Sequence, residues 1–104
     1  MPRMDKQELA LRNEIIAACQ AMNALGINQG TSGNVSVRHG DTLLITPSGV
    51  PYDEMAPEDI VPMPLDAEDG RYGGALAPSS EWRFHLDIMR ARPDVGAVVH
   101  THST

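Results

Sequence analysis

His100 and His102 stand two apart in the run Ala97-Val98-Val99-His100-Thr101-His102, where β-branched residues predict a strand from Gly96 to Thr101. Side chains alternate between the faces of a strand, so both imidazoles project to the same side. That spacing suits a metal. Two neutral ring nitrogens can converge on one ion at about 2.0 to 2.1 Å, and zinc needs roughly three or four such ligands. His-x-His also arises as two solvent-facing histidines, and spacing alone leaves both readings open. Glu81 follows Ser79-Ser80 at the start of a predicted helix. A carboxylate there is favoured by about 0.3 to 1 kcal/mol on electrostatic grounds alone, so its position does not by itself demand acid–base chemistry. His85 lies at i+4 from Glu81, where a core-lining or capping role is as reasonable as ligation. His39 falls in a predicted hairpin turn and is expected to be solvated.

Three polar loops offer the donors of an anion site: Thr31 to Asn34, Ser48-Gly49, and Ser79-Ser80. Hydroxyls, an amide and glycine N–H groups can hold phosphate without a cation, and a helix amino terminus adds its dipole. Three ordinary turns would have the same composition. Neither a Walker A sequence nor G-x-G-x-x-G is present, so nucleotide binding has little support.

The elements that must position these residues are legible from periodicity. Leu11, Ile15, Ala18, Cys19, Met22 and Leu25 repeat at helical spacing and predict an amphipathic helix from Asp5 to Leu25. Asp5 with Glu8 resembles a capping box, and Gly26 stands where a helix ends. Val35 to Arg38 and Thr42 to Thr46 predict a hairpin about the turn His39-Gly40-Asp41. Pro57 to Pro78 is acidic and rich in Pro and Gly, and is expected to be the least ordered stretch, with one short apolar piece at Ile60-Val61. A second helix is expected from Ser79, as its cap, to about Arg92, with Trp82, Leu86 and Met89 on one face and Pro93 beyond its end. Helices and strands alternate without an internal repeat, which predicts an α/β or α+β class.

Composition limits what such a chain can bind. Its 104 residues carry 14 acidic and 8 basic side chains, a formal net charge of -6. That balance argues against nucleic-acid or membrane-surface binding, which needs clustered Lys and Arg. No apolar run approaches the roughly 18 residues of a membrane span. The first residues lack the apolar stretch of a signal peptide. A lone Cys19, on the apolar helix face, reads as a small buried hydrophobe and points to a reducing, cytoplasmic setting. With 41% hydrophobic residues and four aromatics (Tyr52, Tyr72, Trp82, Phe84), any core is aliphatic.

In combination and order, four segments resemble the class II aldolase/adducin family. They are Asn28-Gln29-Gly30-Thr31-Ser32-Gly33-Asn34-Val35-Ser36, Ile45-Thr46-Pro47-Ser48-Gly49, Pro78-Ser79-Ser80-Glu81 and Val98-Val99-His100-Thr101-His102-Ser103. Within that family, Ser79-Ser80-Glu81-Trp82-Arg83-Phe84-His85 most resembles the fuculose-phosphate aldolases. The resemblance runs from about Leu11 to Thr104. It implies an αβα-layered domain with a central, mainly antiparallel sheet, of which residues 1–104 form the amino-terminal portion. It also implies that His100, His102 and Glu81 bind zinc (Zn2+), that Glu81 is the catalytic acid/base, and that Thr31, Asn34, Ser48, Gly49, Ser79 and Ser80 hold the substrate phosphate.

The reaction so implied cleaves a ketose 1-phosphate, such as L-fuculose 1-phosphate, into dihydroxyacetone phosphate and an aldehyde, in a homotetramer. Members of the family are about twice this length, with a third zinc-binding histidine and a carboxy-terminal tyrosine after the His-x-His strand. Neither has a counterpart here, so the expectation is an incomplete enzyme, inactive by itself. Two alternatives share the resemblance: a pentulose-phosphate 4-epimerase, against which Glu rather than Asp at position 81 counts, and a non-catalytic adducin-like interaction module.

Overall fold

The computed structural model describes residues 5–25, 33–66, 69–74 and 76–100. Helix α1 spans Lys6–Ala24, and Asp5 caps it by accepting the Glu8 N–H at 2.6 Å. The hairpin forms as β1 (Asn34–His39) and β2 (Thr42–Ile45), followed by two single 3₁₀ turns, Tyr52–Glu54 and Pro57–Asp59. Strand β3 (Val61–Pro64), helix α2 (Trp82–Ala91) and strand β4 (Ala97–His100) complete the order. The four strands make one antiparallel sheet in the order β3-β2-β1-β4.

One helix covers each face of that sheet. On one side Ile15, Ile16, Cys19 and Met22 of α1 pack with Val35, Leu44, Tyr52, Met55 and Ile60. On the other, Leu86 and Met89 of α2 pack with Leu43, Ile45, Val61, Met63 and Val98. Leu43, Leu44 and Ile45 of β2 serve alternate faces and are all fully buried, as an inner strand of a helix-covered sheet requires. The layering is therefore αβα about an antiparallel sheet. Cys19 is buried in the α1 layer, and burial pushes its thiol up to about 12, so it packs as an apolar group. Among the described residues no helix is long and apolar enough to cross a membrane.

Several expectations need correction. The described part of the stretch from Pro57 to Pro78, expected to be the least ordered, contains a strand, β3, which pairs with β2 from Ile45↔Val61 to Thr42↔Pro64. Proline is tolerated there because β3 is an edge strand. Beyond β3 the chain returns across α2, where Gly70 (φ +79°) lies so close to Trp82 that a Cβ would come within 2.8 Å of the indole. Leu25 is 75% exposed rather than on the buried face, whereas Ile16 and Arg12 are buried. Arg12 is held by Glu8 at 2.7 Å and by the carbonyls of Pro57 and Ile60 at 3.0 and 2.7 Å, which ties α1 to the loop before β3. His39 is not in the turn. It ends β1, its side chain is 20% exposed, and its Nε2 lies 3.6 Å from the Asp5 carboxylate. Gly26 and Thr101 lie outside the described residues.

Candidate active site

The face of β1 that meets α2 is polar along its length. Asn34, Ser36 and Arg38 alternate with Val35 and Val37, so all three point toward α2. Each has a partner in or beside that helix. Arg38 donates to the carbonyls of Met89 (2.6 Å), Arg92 (3.2 Å) and Val95 (3.1 Å), satisfying acceptors at the carboxy-terminal end of α2. Ser36 Oγ lies 2.6 Å from His85 Nδ1, and Asn34 Oδ1 contacts His85 Nε2. The Asn34 amide Nδ2 donates to Glu81 Oε1 at 2.8 Å.

Helix α2 begins later than expected. Ser79 does not cap its first turn; the first helical residue is Trp82, and Glu81 precedes it. Ser79 instead closes the turn leading in, its Oγ accepting the Glu81 N–H at 3.3 Å and its carbonyl the Trp82 N–H at 3.0 Å. The Glu81 carboxylate thus sits at the positive end of α2, where negative charge is stabilised. Its second oxygen, Oε2, lies 3.1 Å from Nδ1 of His100, whose ring stacks obliquely on Phe84. Strand register completes the cluster: Asn34 is the Cα partner of His100 across β1 and β4.

Two of the three polar loops are drawn together beside this cluster. Pro47 and Pro78 form an antiparallel bridge, flanked by Ser48 N–H to Ala77 O at 3.0 Å and Ser79 N–H to Thr46 O at 2.9 Å. Thr46 also exchanges bonds with Val35, through its N–H (3.1 Å) and its hydroxyl (3.3 Å), which joins the start of β1 to both loops. Ser48, Gly49 and Ser80 are exposed, while Ser79 is buried. Gly49 has φ +75°, a left-handed conformation that makes glycine the natural residue there. Thr31 and His102 lie outside the described residues. Ser36, Arg38, Thr46 and the bonded state of His85 were not singled out by sequence reasoning; the polar–apolar alternation of β1 was the available signal.

His85 is fully buried, and that desolvation, reinforced by the neighbouring His100 and opposed by Glu81, lowers its pKa to about 4 from 6.5. The fold therefore holds it neutral. Above pH 6.5 neither the folded nor the unfolded state binds this proton. Between about 6.5 and 4 only the unfolded state does, so stability is lost as the pH is lowered through that window. The expected loss is up to about 3 kcal/mol. Urea midpoints from pH 7.5 to 4 measure it, and His85→Gln should flatten the slope; an unchanged slope would contradict the assignment.

Glu81 and His100 also fit a metal. Two ligand atoms bound to one tetrahedral zinc lie about 3.3 Å apart, and the carboxylate oxygen and imidazole nitrogen are 3.1 Å apart. A carboxylate and an imidazole lone pair at that distance repel unless a proton or a cation lies between them. Among the described residues no third His, Cys, Asp or Glu joins them.

Comparison with known families decides the ancestry of this arrangement. Residues 13–104 match the model of the Class II Aldolase and Adducin N-terminal domain. The chain belongs to the class II aldolase and adducin family. The 5-methylthioribulose-1-phosphate/5-deoxyribulose-1-phosphate aldolase of Rhodospirillum rubrum is 54% identical over 96% of this chain and 44% of its own length. The L-fuculose phosphate aldolase of Escherichia coli K12 is 46% identical, with the same two coverages. Among solved structures, YgbL of Escherichia coli superposes with a TM-score of 0.85 at 33% identity, over 95% of this chain and 47% of that one. An L-fuculose 1-phosphate aldolase superposes with a TM-score of 0.81 at 34% identity, over 89% and 44%. The chain thus spans a little under half the length of the curated relatives it matches, and it corresponds to the amino-terminal half of the class II aldolase fold.

Proposed function

We propose that the whole protein is a zinc-dependent lyase that cleaves a ketose 1-phosphate to dihydroxyacetone phosphate and an aldehyde. What supports this reading is the Glu81 carboxylate, held between the Asn34 amide and the His100 imidazole at the start of α2. Glu81, His100 and, by the family resemblance, His102 would hold the metal. When bound, zinc supplies electrostatic stabilisation for negative charge developing on the ketose oxygens. Glu81 carries the proton to and from the carbon at which the bond breaks. Asn34 keeps one carboxylate oxygen occupied, so that the other faces the reacting side.

Phosphate binding falls to the loops. Thr31, Ser48, Gly49, Ser79 and Ser80 offer hydroxyls and N–H groups, and the second N–H of the Asn34 amide can join them. The relatives' names give candidate substrates: L-fuculose 1-phosphate, 5-deoxyribulose 1-phosphate and 5-methylthioribulose 1-phosphate. By the same resemblance the working form is a homotetramer. The test is release of dihydroxyacetone phosphate from each ketose by the whole protein, before and after chelation. Chelator-sensitive cleavage of at least one supports the reading. Epimerisation without cleavage, or no turnover with any of them, would overturn it.

Ser80→Ala is expected to weaken binding of the phosphorylated ketose roughly 10- to 100-fold, because a hydrogen bond to a charged group contributes about 1.5 to 3 kcal/mol. Affinity for the unphosphorylated sugar should barely change. Equal losses for both would remove Ser80 from the phosphate site.

A further inference from the structure

The chemistry above uses Asn34 and Glu81 and leaves the buried groups behind them without a task. Ser36 and His85 are both fully buried, beyond the reach of solvent. Burying two such polar groups is costly unless each is satisfied, and an apolar pair would fill that space without the cost. Their hydrogen bonds run in one direction only. An ionised Glu81 can only accept, so the Asn34 atom facing it must be the amide nitrogen. Asn34 Oδ1 then faces His85 Nε2, and a carbonyl oxygen also only accepts, so Nε2 carries the ring proton. Nδ1 is left with its lone pair, and the Ser36 hydroxyl, 2.6 Å away, donates to it. Every orientation in the series Ser36, His85, Asn34, Glu81 follows from the charge at its end.

From this geometry we infer that His85 is a positioning residue: held as the Nε2–H tautomer by Ser36, it orients the Asn34 amide, which in turn aims the Glu81 carboxylate at His100. The inference rests on the aldolase reading for what Glu81 does, not for how it is held. Without the Nε2 donor, Asn34 is free to turn its carbonyl toward Glu81. Two acceptors would then face each other, and the carboxylate would rotate away from His100.

Two substitutions separate positioning from space filling. In His85→Gln the amide N–H reaches the place of Nε2–H, so a donor to Asn34 is kept. In His85→Asn the shorter side chain reaches only the place of Nδ1, so that donor is lost. In the whole protein, His85→Asn should lower kcat roughly 10- to 100-fold, the effect typical of a residue behind a metal ligand, with KM changed less than about 3-fold. His85→Gln should recover most of that loss. Equal losses in the two variants, or a loss carried by KM, would overturn the inference.

Long-range imidazole ¹⁵N spectra give a readout independent of turnover. They should show His85 protonated at Nε2 only, and the Asn34 side-chain amide resonances should move in His85→Asn but stay near their wild-type positions in His85→Gln. A ring protonated at Nδ1 would overturn the inference even in a protein that cleaves ketose phosphates. Absence of turnover with the expected spectra would count against the aldolase reading and leave the positioning intact. Should His85→Asn fail to fold, the wild-type tautomer and Ser36→Ala decide: Ser36→Ala should lower kcat several-fold with the Nε2 tautomer less populated, and no change in either would refute the role.

Discussion

Replacing Glu81 by Gln in the whole protein is expected to lower turnover of ketose 1-phosphate cleavage by roughly 10²- to 10⁴-fold, the usual contribution of a general acid–base group. The amide has the same volume as the carboxylate, and its carbonyl can keep the bond from Asn34 Nδ2. The start of α2 should stay in place, because Trp82 is bound there through the Ser79 carbonyl rather than through the Glu81 side chain. What is lost is the ability to take and return a proton. The negative charge facing His100 at 3.1 Å is lost with it. Initial rates with saturating substrate measure the effect, and affinity for a non-cleavable phosphorylated analogue checks that the loops are intact. Near wild-type turnover in Glu81→Gln would leave Glu81 a helix-start residue favoured by the dipole and nothing more.

His100→Ala should remove zinc. In the whole protein, a site built from His100, His102, Glu81 and the third histidine that the family resemblance implies loses an indispensable ligand, so affinity is expected to fall by more than about 100-fold, beyond the range for residues that only support a ligand. The strand itself has little reason to fail, since the ladder with β1 is made by backbone groups and Val98 is its buried anchor. Metal analysis after dialysis, with chelator competition for affinity, gives the result directly. About one zinc per subunit is expected for the wild type and almost none for the variant. Full occupancy in His100→Ala would remove His100 from the metal site, and with it the main reason for reading the Glu81–His100 approach as a ligand pair.

Much of the fold was legible because it is set by local periodicity. Ile15, Cys19 and Met22 recur at helical spacing, and Asp5 with Glu8 marks where α1 begins. Val35 and Val37 alternate with polar residues in β1, and Gly40, with φ +59°, turns the chain into β2. β3 was hidden because Val61-Pro62-Met63-Pro64 carries prolines that argue against a strand. It pairs all the same, since only one of its edges bonds to another strand and the prolines can face the other, where the Pro62 carbonyl accepts the Gly73 N–H at 2.9 Å. The start of α2 was misplaced for a related reason. Ser79 has the side chain of a cap, but a β-bridge between Pro47 and Pro78 fixes the backbone just before it, so Ser79 closes a turn instead.

The sequence by itself determined the chemical inventory of this protein and its family. Glu81, His100, the two serines and the glycine loops stand in family order, and helical or strand spacing tells which side chains share a face. Only the tertiary structure decided which of them meet. Asn34 bonds to a residue 47 positions away, and Ser36 to one 49 positions away. Those contacts depend on the register that sets Asn34 opposite His100 and on α2 crossing that face of the sheet. A polar residue alternating with valines looks the same in the sequence whether it meets water, a helix end or a carboxylate. Desolvation makes the difference: once α2 covers β1, each buried donor and acceptor must find a partner, and the partners available turn a strand face into the support of a candidate active site.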